Sequence, residues 1–202
     1  MISTVMISTV MISTVMISAV LDACILYSAV LRGLLLHLGS NESFRPFWSP
    51  EIRDEWTRSL LKNRRDLEWE NIERTCRRMD AHFPNGLVRG YETITPTLTL
   101  PDMNDRHVLA VAIYTEAKYI VTTNISDFPK EILQPYEIEA VSPEKFVLQL
   151  IQNNPKRVLE AVRDHRLGLT RPPKTVDEYL ATLEEQGLAK TVAFLRIHEN
   201  DI

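Results

Sequence analysis

The stretch PDMNDRHVLAVAIYTEAKYIVTTNISDFP, residues 101–129, decides the fold class of this 202-residue chain. From Asp105 to Ala117 it is apolar almost all round, which is typical of a buried helix. Tyr119 to Thr123 is rich in β-branched residues, which is typical of a strand buried on both faces. A buried strand directly after a buried helix predicts an α/β fold, with a parallel sheet covered by helices on both faces.

The chain on either side of this unit shows the same alternation of strands and helices. Short apolar runs bounded by turn residues predict the strands, and Ser-Pro or Gly punctuation predicts where helices begin and end. The expected strands are Ile17–Leu21, Phe44–Trp48, a short one within 87–100, and Ile138–Val141; the expected helices are Cys24–Leu38, Pro50–Leu61 and 66–82.

After Val141 the strand pattern stops. Helices are expected after Ser142-Pro143 and Asn154-Pro155, and two more after a proline-containing linker, over 175–186 and 188–199. A helical tail of about 50 residues is below the size that usually folds alone, so it should pack on the main domain or on a partner. We therefore divide the chain into residues 17–142 and a helical extension, 143–202.

The amino terminus is a strict five-residue repeat, MISTV three times and then MISAV, over residues 1–20. No basic residue precedes it and every unit carries Ser, so a signal or membrane segment is disfavoured. We interpret the first ~15 residues as a duplicated copy of the start of the first strand, from an in-frame repeat or a misassigned start codon. Residues 1–16 are then expected to be dispensable, with Met6, Met11 and Met16 as alternative starts.

Bulk composition limits the class of protein. A hydrophobic fraction of 45% and a charged fraction of 25% are typical of a globular protein. The formal net charge of -4 gives no sign of a basic nucleic-acid binder, although a site made of carboxylates would itself add negative charge. The two cysteines, Cys24 and Cys76, have neither metal-type spacing nor a disulfide framework, so a reduced cytoplasmic protein is expected. No P-loop, nucleophile elbow or zinc pattern is present.

Four acidic residues fall where a parallel sheet places its ligand crevice, beyond the carboxyl ends of its strands. Asp22 follows the first strand, Asp127 follows the third main strand, and Asp105 opens the buried helix. On the helix that begins at Pro50, Glu55 is the acid nearest the apolar face. Each has a simpler interpretation as well: a helix cap, an Asx turn or a solvated side chain. The case for a site depends on all four arising at one end of one sheet.

Carboxylates gathered in one crevice repel one another unless a cation compensates them. Mg²⁺ and Mn²⁺ prefer oxygen ligands and keep several waters. Such a site can activate a water and stabilise the leaving oxygen, which suits phosphodiester cleavage.

The same motifs resemble the PIN-domain family, with its VapC-type toxins as the nearest group. The resemblance covers roughly residues 17–142 and is carried by Leu21-Asp22-Ala23, the Glu55 helix, Pro101–Ala110 and Ile120–Pro129. It implies a three-layer PIN-like domain that cuts RNA with Mg²⁺ or Mn²⁺, restrained by an antitoxin protein. The implied metal-site acids are Asp22, Glu55, Asp105 and Asp127, with Asp102, Asn124 and Thr123 as supporting residues.

Several alternatives stay open. A PIN-like binding scaffold without catalysis is disfavoured because all four acidic positions are filled, and a phosphatase because Asp22 lacks a second acid two residues on. A housekeeping RNA-processing nuclease would carry the same acids. The helical extension could contact RNA, hold the antitoxin or build a homodimer.

Three further features have a structural interpretation at least as good as a functional one. His107 is expected on a helix surface, and Trp56 in the core. The remaining candidates are the bases that could line an RNA path, Arg58, Lys62, Arg64, Arg65, Arg74, Arg77 and Arg78, and the tryptophans that could stack on bases, Trp48 and Trp69.

Overall fold

The structure is a computed structural model, and it describes residues 16–202. The interpretation of the repetitive start therefore lies outside the described residues, apart from the final repeat unit, whose Ser18 begins the first strand. The elements are β1 (Ser18–Leu21), α1 (Ala23–Tyr27), α2 (Ala29–Ser40), β2 (Arg45–Phe47), α3 (Pro50–Asn63), α4 (Trp69–His82), α5 (Arg106–Tyr114), β3 (Tyr119–Val121), α6 (Lys130–Leu133), β4 (Glu139–Val141), α7 (Pro143–Asn153), α8 (Pro155–Gly168), α9 (Val176–Glu185) and α10 (Ala189–Ile197).

The four strands form one parallel sheet in the order β2-β1-β3-β4. Val20 in β1 is in register with Phe47 on one side and Ile120 on the other, and Val121 pairs with Val141. Because β1 and β3 are central and parallel, their carboxyl ends lie side by side. Helices cover the faces of the sheet, and the predicted α/β class is confirmed.

Three helices begin at the Ser-Pro or Asn-Pro pairs that predicted their starts. Ser49, Ser142 and Asn154 each precede a proline at the first helical position, and each side chain accepts a hydrogen bond from a backbone N–H in the first turn. Thr175 and Glu178 form a capping box at the start of α9. Side-chain caps therefore fix where these helices begin.

Two predicted elements differ from the structure. The expected single helix Cys24–Leu38 is two helices, because Ser28 is extended (ψ 115°) and caps α2 through the N–H of Leu31. The Ser28 hydroxyl also donates to Oε1 of Gln186 at 2.6 Å, which stabilises the break.

The expected strand within 87–100 is also wrong. This region contributes only one parallel bridge, between Trp48 and Leu87, followed by a 3-10 turn at Thr95–Thr97. Gly90 at φ +93° and Pro96, which has no N–H to donate, prevent a longer ladder.

The helical extension packs on the main domain, as its small size predicts. Its α8 lies against α2, where a Cβ added to Gly33 would stand 2.4 Å from Nε2 of His165. The rings of His165 and His37 lie 4.9 Å apart in the same interface. Between Met16 and Ile202, no helix combines the length and the apolar character needed to cross a membrane.

Candidate active site

Asp22 lies where β1 passes into α1. Its Oδ1 accepts a hydrogen bond from the backbone N of Ala23 at 2.6 Å and so caps α1. Its Oδ2 accepts from the hydroxyl of Thr122 at 2.6 Å and from the thiol of Cys24 at 3.2 Å. Thr122 directly follows β3, the neighbour of β1 in the sheet. The adjacent ends of two parallel strands therefore hold this buried carboxylate in one orientation.

Glu55 approaches the same region from α3. Its Oε1 lies 3.0 Å from Nε2 of His107 in the first turn of α5. His107 is buried, which alone would lower its pKa, but the hydrogen bond and the charge of Glu55 raise it overall. The His107 ring thus holds the Glu55 carboxylate in position. The expectation of a surface histidine is wrong, because the turn that begins α5 directs position 107 towards α3.

Asp105 is the electrostatic centre of the acidic cluster. Its side chain makes no cap on α5, although its position at the helix start would allow one. Burial raises the pKa of Asp105 to about 6, and the charges of the surrounding acids add to the effect. These acids are Asp22, Asp102, Asp127 and Glu55. The structure therefore brings Asp22, Glu55 and Asp127 within electrostatic reach of Asp105, with Asp102 also near it.

The predicted supporting residues lie at the exposed rim of this cluster. The Oδ1 of Asp102 accepts a hydrogen bond from the N of Asn104 at 2.8 Å and so shapes the turn before Asp105. The N of Asn124 donates to the hydroxyl of Thr122 at 3.0 Å. The Thr123 hydroxyl makes a long contact of 3.4 Å to Oδ1 of Asn124, and the Thr123 backbone N donates to Sγ of Cys24 at 3.4 Å. The threonine that holds a carboxylate is therefore Thr122, which the sequence analysis did not single out.

The signal for Thr122 was nevertheless in the sequence. A polar residue at the end of a buried apolar strand needs a hydrogen-bond partner, and Thr122 is fully buried. Its partner at the neighbouring strand end is a carboxylate, which can be identified only once the strand order is known.

The donor set agrees with a hard divalent cation. The acids around Asp105 offer carboxylate oxygens, and their charges add to burial in raising the pKa of Asp105. No three His, Cys, Asp or Glu side chains within residues 16–202 are close enough to form a ready-made cage. Carboxylate oxygens are the ligand type that Mg²⁺ and Mn²⁺ prefer, with waters completing the coordination.

The other sequence candidates divide between core and surface. Trp48 and Trp56 are buried, which confirms the expectation for Trp56, whereas Trp69 is exposed. Among the basic residues that could line an RNA path, Arg64, directly after α3, pairs with Asp66, and Arg77 on α4 pairs with Glu73, both on the surface. These ion pairs are typical of a solvated surface, which is the structural interpretation of this stretch.

Comparison with known proteins identifies the class. A PIN-domain family model matches residues 18–126, which span β1 to β3, α1 to α5 and, of the acidic cluster, Asp22, Glu55, Asp102 and Asp105. The chain therefore belongs to the PIN-domain family.

The helical extension gives a more specific match. A model described as the VapC50 C-terminal domain matches residues 143–197, which form α7 to α10. The chain is also 33% identical over 129 residues to the protein named "Putative ribonuclease VapC50" of Mycobacterium tuberculosis (strain ATCC 25618 / H37Rv), an alignment of 60% of this chain and 74% of the relative. The chain described here is therefore a VapC-type PIN protein with a C-terminal extension. None of the solved structures matches it.

Proposed function

We propose that this protein is a Mg²⁺- or Mn²⁺-dependent endoribonuclease and the toxin of a type II toxin–antitoxin pair. The observation that carries the proposal is that Asp22, Asp102, Asp127 and Glu55 gather around Asp105, where burial and then the charges of these acids raise the pKa of Asp105 to about 6. A protein does not keep mutually repelling carboxylates together for stability, so the cluster points to a cationic cofactor and an anionic substrate. The similarity to a protein named as a ribonuclease supports the RNA substrate.

Each side chain of the cluster has a separate role in this proposal. Asp22 and Asp105 would hold the cation, with Glu55 and Asp127 completing the negative site. Thr122 and His107 would keep Asp22 and Glu55 in position through the hydrogen bonds they already make. When bound, a divalent cation offsets the charge of the crowded acids and polarises the phosphodiester. Asp102 and Asn124, at the rim, would shape the entry of the strand.

The proposal is tested by cleavage of a mixed RNA substrate with Mg²⁺, Mn²⁺ or EDTA. Asp105→Asn should abolish cleavage, because it removes a charge at the centre of the cluster while keeping the side-chain size. Asp54→Asn makes the same charge change on an exposed neighbour of Glu55 and should leave the rate within twofold. Metal-independent cutting, or full activity in Asp105→Asn, would contradict the proposal.

Metal binding gives a second measurement that does not depend on the choice of RNA. Manganese titration followed by calorimetry should show binding to the wild type and much weaker binding to Asp105→Asn. If metal binds but a mixed RNA is not cut, the protein acts on a narrow RNA target. If neither binding nor cutting occurs, the catalytically inactive scaffold is the better description.

The toxin assignment includes a partner, a cognate antitoxin. Expression of the wild type alone should arrest bacterial growth, and Asp105→Asn should not. Co-expression with the protein encoded beside it should restore growth and yield a stable complex. Growth unaffected by an active nuclease would favour a housekeeping RNA-processing role. We also propose self-association into a homodimer, to be checked by sedimentation of the isolated chain.

A further inference from the structure

A cavity of about 540 Å³ lies where the main domain meets the helical extension. The junction of α1 and α2 contributes Tyr27, Ser28 and Arg32, and α3 contributes Trp56 and Leu60. Gln186, just after α9, closes it from the extension and is held there by the hydroxyl of Ser28. Its remaining lining comes from Ala29 and from the residues at the end of α3 and on α4: Arg64, Leu67, Asn71, Ile72 and Thr75.

Arg32 stands out among the residues that line this cavity. Its guanidinium lies 4.8 Å from the centre of the Trp56 ring, and its Nη1 donates to the carbonyl of Leu26. No Asp or Glu of residues 16–202 forms a salt bridge with it. Burial therefore lowers the pKa of Arg32 to about 10, with only the Cys76 thiol acting against it. A cation withdrawn from water without an anion carries a desolvation cost that a bound anion would remove.

The missing anion does not come from elsewhere in the chain. No acidic residue lines the cavity, whereas two arginines, Arg32 and Arg64, do. The sequence before Asp22 contains no Asp or Glu, so the residues outside the described range add none. Arg64 is paired with Asp66, so the excess positive charge here is that of Arg32, which in a chain of net charge -4 favours an anionic ligand from outside the molecule.

The position of the cavity connects it with the acidic cluster. Asp22 caps the short helix α1, which ends at Tyr27, a residue that lines the cavity. On α3, Glu55 belongs to the cluster, while Leu60 and, directly after the helix, Arg64 line the cavity. At ~1.5 Å per helical residue, the path from the acids to the cavity is about 7 Å along α1 and about 14 Å along α3. Two to four nucleotides of a stacked strand cover that path, at ~3.4 Å each.

We propose that this cavity binds a backbone phosphate of the RNA strand through Arg32, two to four nucleotides from the position of cleavage. The inference rests on the proposed ribonuclease function and adds to it a second contact site for the same strand. A guanidinium presents a planar set of donors that matches phosphate oxygens, and the amide of Asn71 at the rim offers a further donor. The helical extension would then contribute to RNA binding, because Gln186 closes the cavity.

An acidic side chain of a protein partner is the competing occupant. The observations favour RNA because α1 and α3 each connect an acid of the proposed cleavage site with a residue that lines the cavity. An RNA strand that leaves the acidic cluster along α1 and α3 reaches the cavity, where Arg32 offers positive charge. The test therefore measures RNA binding directly, separately from cleavage.

The experiment uses the full chain carrying Asp105→Asn, so that the RNA stays intact, and a labelled single-stranded RNA of eight mixed nucleotides. Affinity is measured by fluorescence anisotropy with Mg²⁺ present, over a series of salt concentrations. Arg32→Gln should weaken binding about tenfold at low salt, because it removes a charge-assisted contact. It should also lower the slope of log affinity against log salt by ~0.7, the value for one phosphate on a single strand.

A second variant guards against misfolding of Arg32→Gln. Asn71→Asp adds a carboxylate at the exposed rim without a change in size, and it should weaken binding to a similar extent. Arg32→Lys keeps the charge and should retain most of the affinity. The matched controls are Arg196→Gln on α10 and Asn200→Asp near the carboxyl terminus, which make the same changes of charge at residues that do not line the cavity and should stay within twofold of the parent.

The outcomes separate the two proposals. Unchanged affinity in both cavity variants overturns the phosphate site and leaves an acidic protein partner as the occupant, even if the wild type cuts RNA. An equal loss in the control variants also overturns it, because the effect would then be one of overall charge. No binding of RNA by the parent overturns it as well. Selective loss in the cavity variants supports it, whether or not the wild type cleaves the RNA tested.

Discussion

The Nε2 atom of His107 lies 3.0 Å from Oε1 of Glu55 and joins the start of α5 to the middle of α3. The two residues are 52 positions apart in the sequence. Nδ1 of the same ring is buried and has no hydrogen-bond partner among the described residues, so the contact with Glu55 is the polar interaction that orients the ring. The Glu55 carboxylate on α3 is therefore held by His107 of α5, the helix that directly follows Asp105.

We expect His107→Phe to reduce kcat/KM for RNA about tenfold with little loss of folding stability. The phenyl ring fills the same buried space but leaves Glu55 unrestrained, and a positioning hydrogen bond is worth roughly 1–1.5 kcal/mol. His107→Gln restores a donor and should recover part of the rate. In the double variant with Glu55→Gln, the two effects should not add, because they act on one contact. Additive losses would mean that His107 acts elsewhere.

Thr122→Val should lower activity while Thr123→Val should not. Valine has the shape of threonine, so the buried site stays filled, but Oδ2 of Asp22 loses its 2.6 Å hydrogen bond. The backbone N of Asn124 also loses its acceptor. We expect about 1–3 kcal/mol of lost stability in urea unfolding and about a tenfold lower rate. Thr123 is exposed and serves as the matched control; equal losses in the two variants would contradict the role given to Thr122.

Gly33→Ala should destabilise the packing of α8 on α2. The added methyl group would lie 2.4 Å from Nε2 of His165, in an interface where the buried His165 also contacts Tyr179 at 2.9 Å. Overpacking of this kind costs about 1–3 kcal/mol, which thermal unfolding detects. Gly168→Ala is the control, because a Cβ there meets nothing closer than 3.8 Å. A neutral Gly33→Ala would mean that the extension packs more loosely than described.

Stability should fall as the pH drops from about 6.5 towards 4, and His165 should account for part of the fall. Burial, with the charge of His37 second, lowers the pKa of His165 to about 4, whereas an unfolded histidine titrates near 6.5. The unfolded state therefore binds the proton first, so the contribution is complete above about pH 6.5 and is lost below it. The whole difference corresponds to roughly 3 kcal/mol.

The pH effect is measured by urea unfolding at a series of pH values between 7 and 4.5. His165→Gln should flatten the dependence, since glutamine does not titrate in this range. Its stability at pH 7 will be lower, because Tyr179 loses the geometry of its present partner, so the slope rather than the absolute value is compared. An unchanged slope would show that other groups dominate the acid sensitivity.

Most of the fold could be predicted from local pattern. The buried helix and strand of residues 101–129, the Ser-Pro helix starts and the four helices of the extension all follow from periodicity and capping chemistry, which act over a few residues. The same reasoning placed Asp22, Asp105 and Asp127 at strand or helix ends, because parallel strands end at one edge of a sheet.

Local pattern failed where a distant partner decides the outcome. Cys24–Leu38 has the composition of one helix, and it breaks at Ser28 because the hydroxyl bonds Gln186 from the extension. The segment 87–100 contains strand-forming residues, but only Leu87 forms a β-bridge, with Trp48. His107 has the local appearance of a surface residue and becomes buried because α3 lies against it.

The sequence by itself determined the class of the fold and the kind of chemistry, because both depend on residue types at short spacing. Only the tertiary structure decided which groups hold the acids in place: Thr122 for Asp22 and His107 for Glu55. It alone also placed Arg32 in a cavity without an anionic partner. These features depend on contacts between helices and strands far apart in the chain, and no local spacing encodes which surfaces will meet.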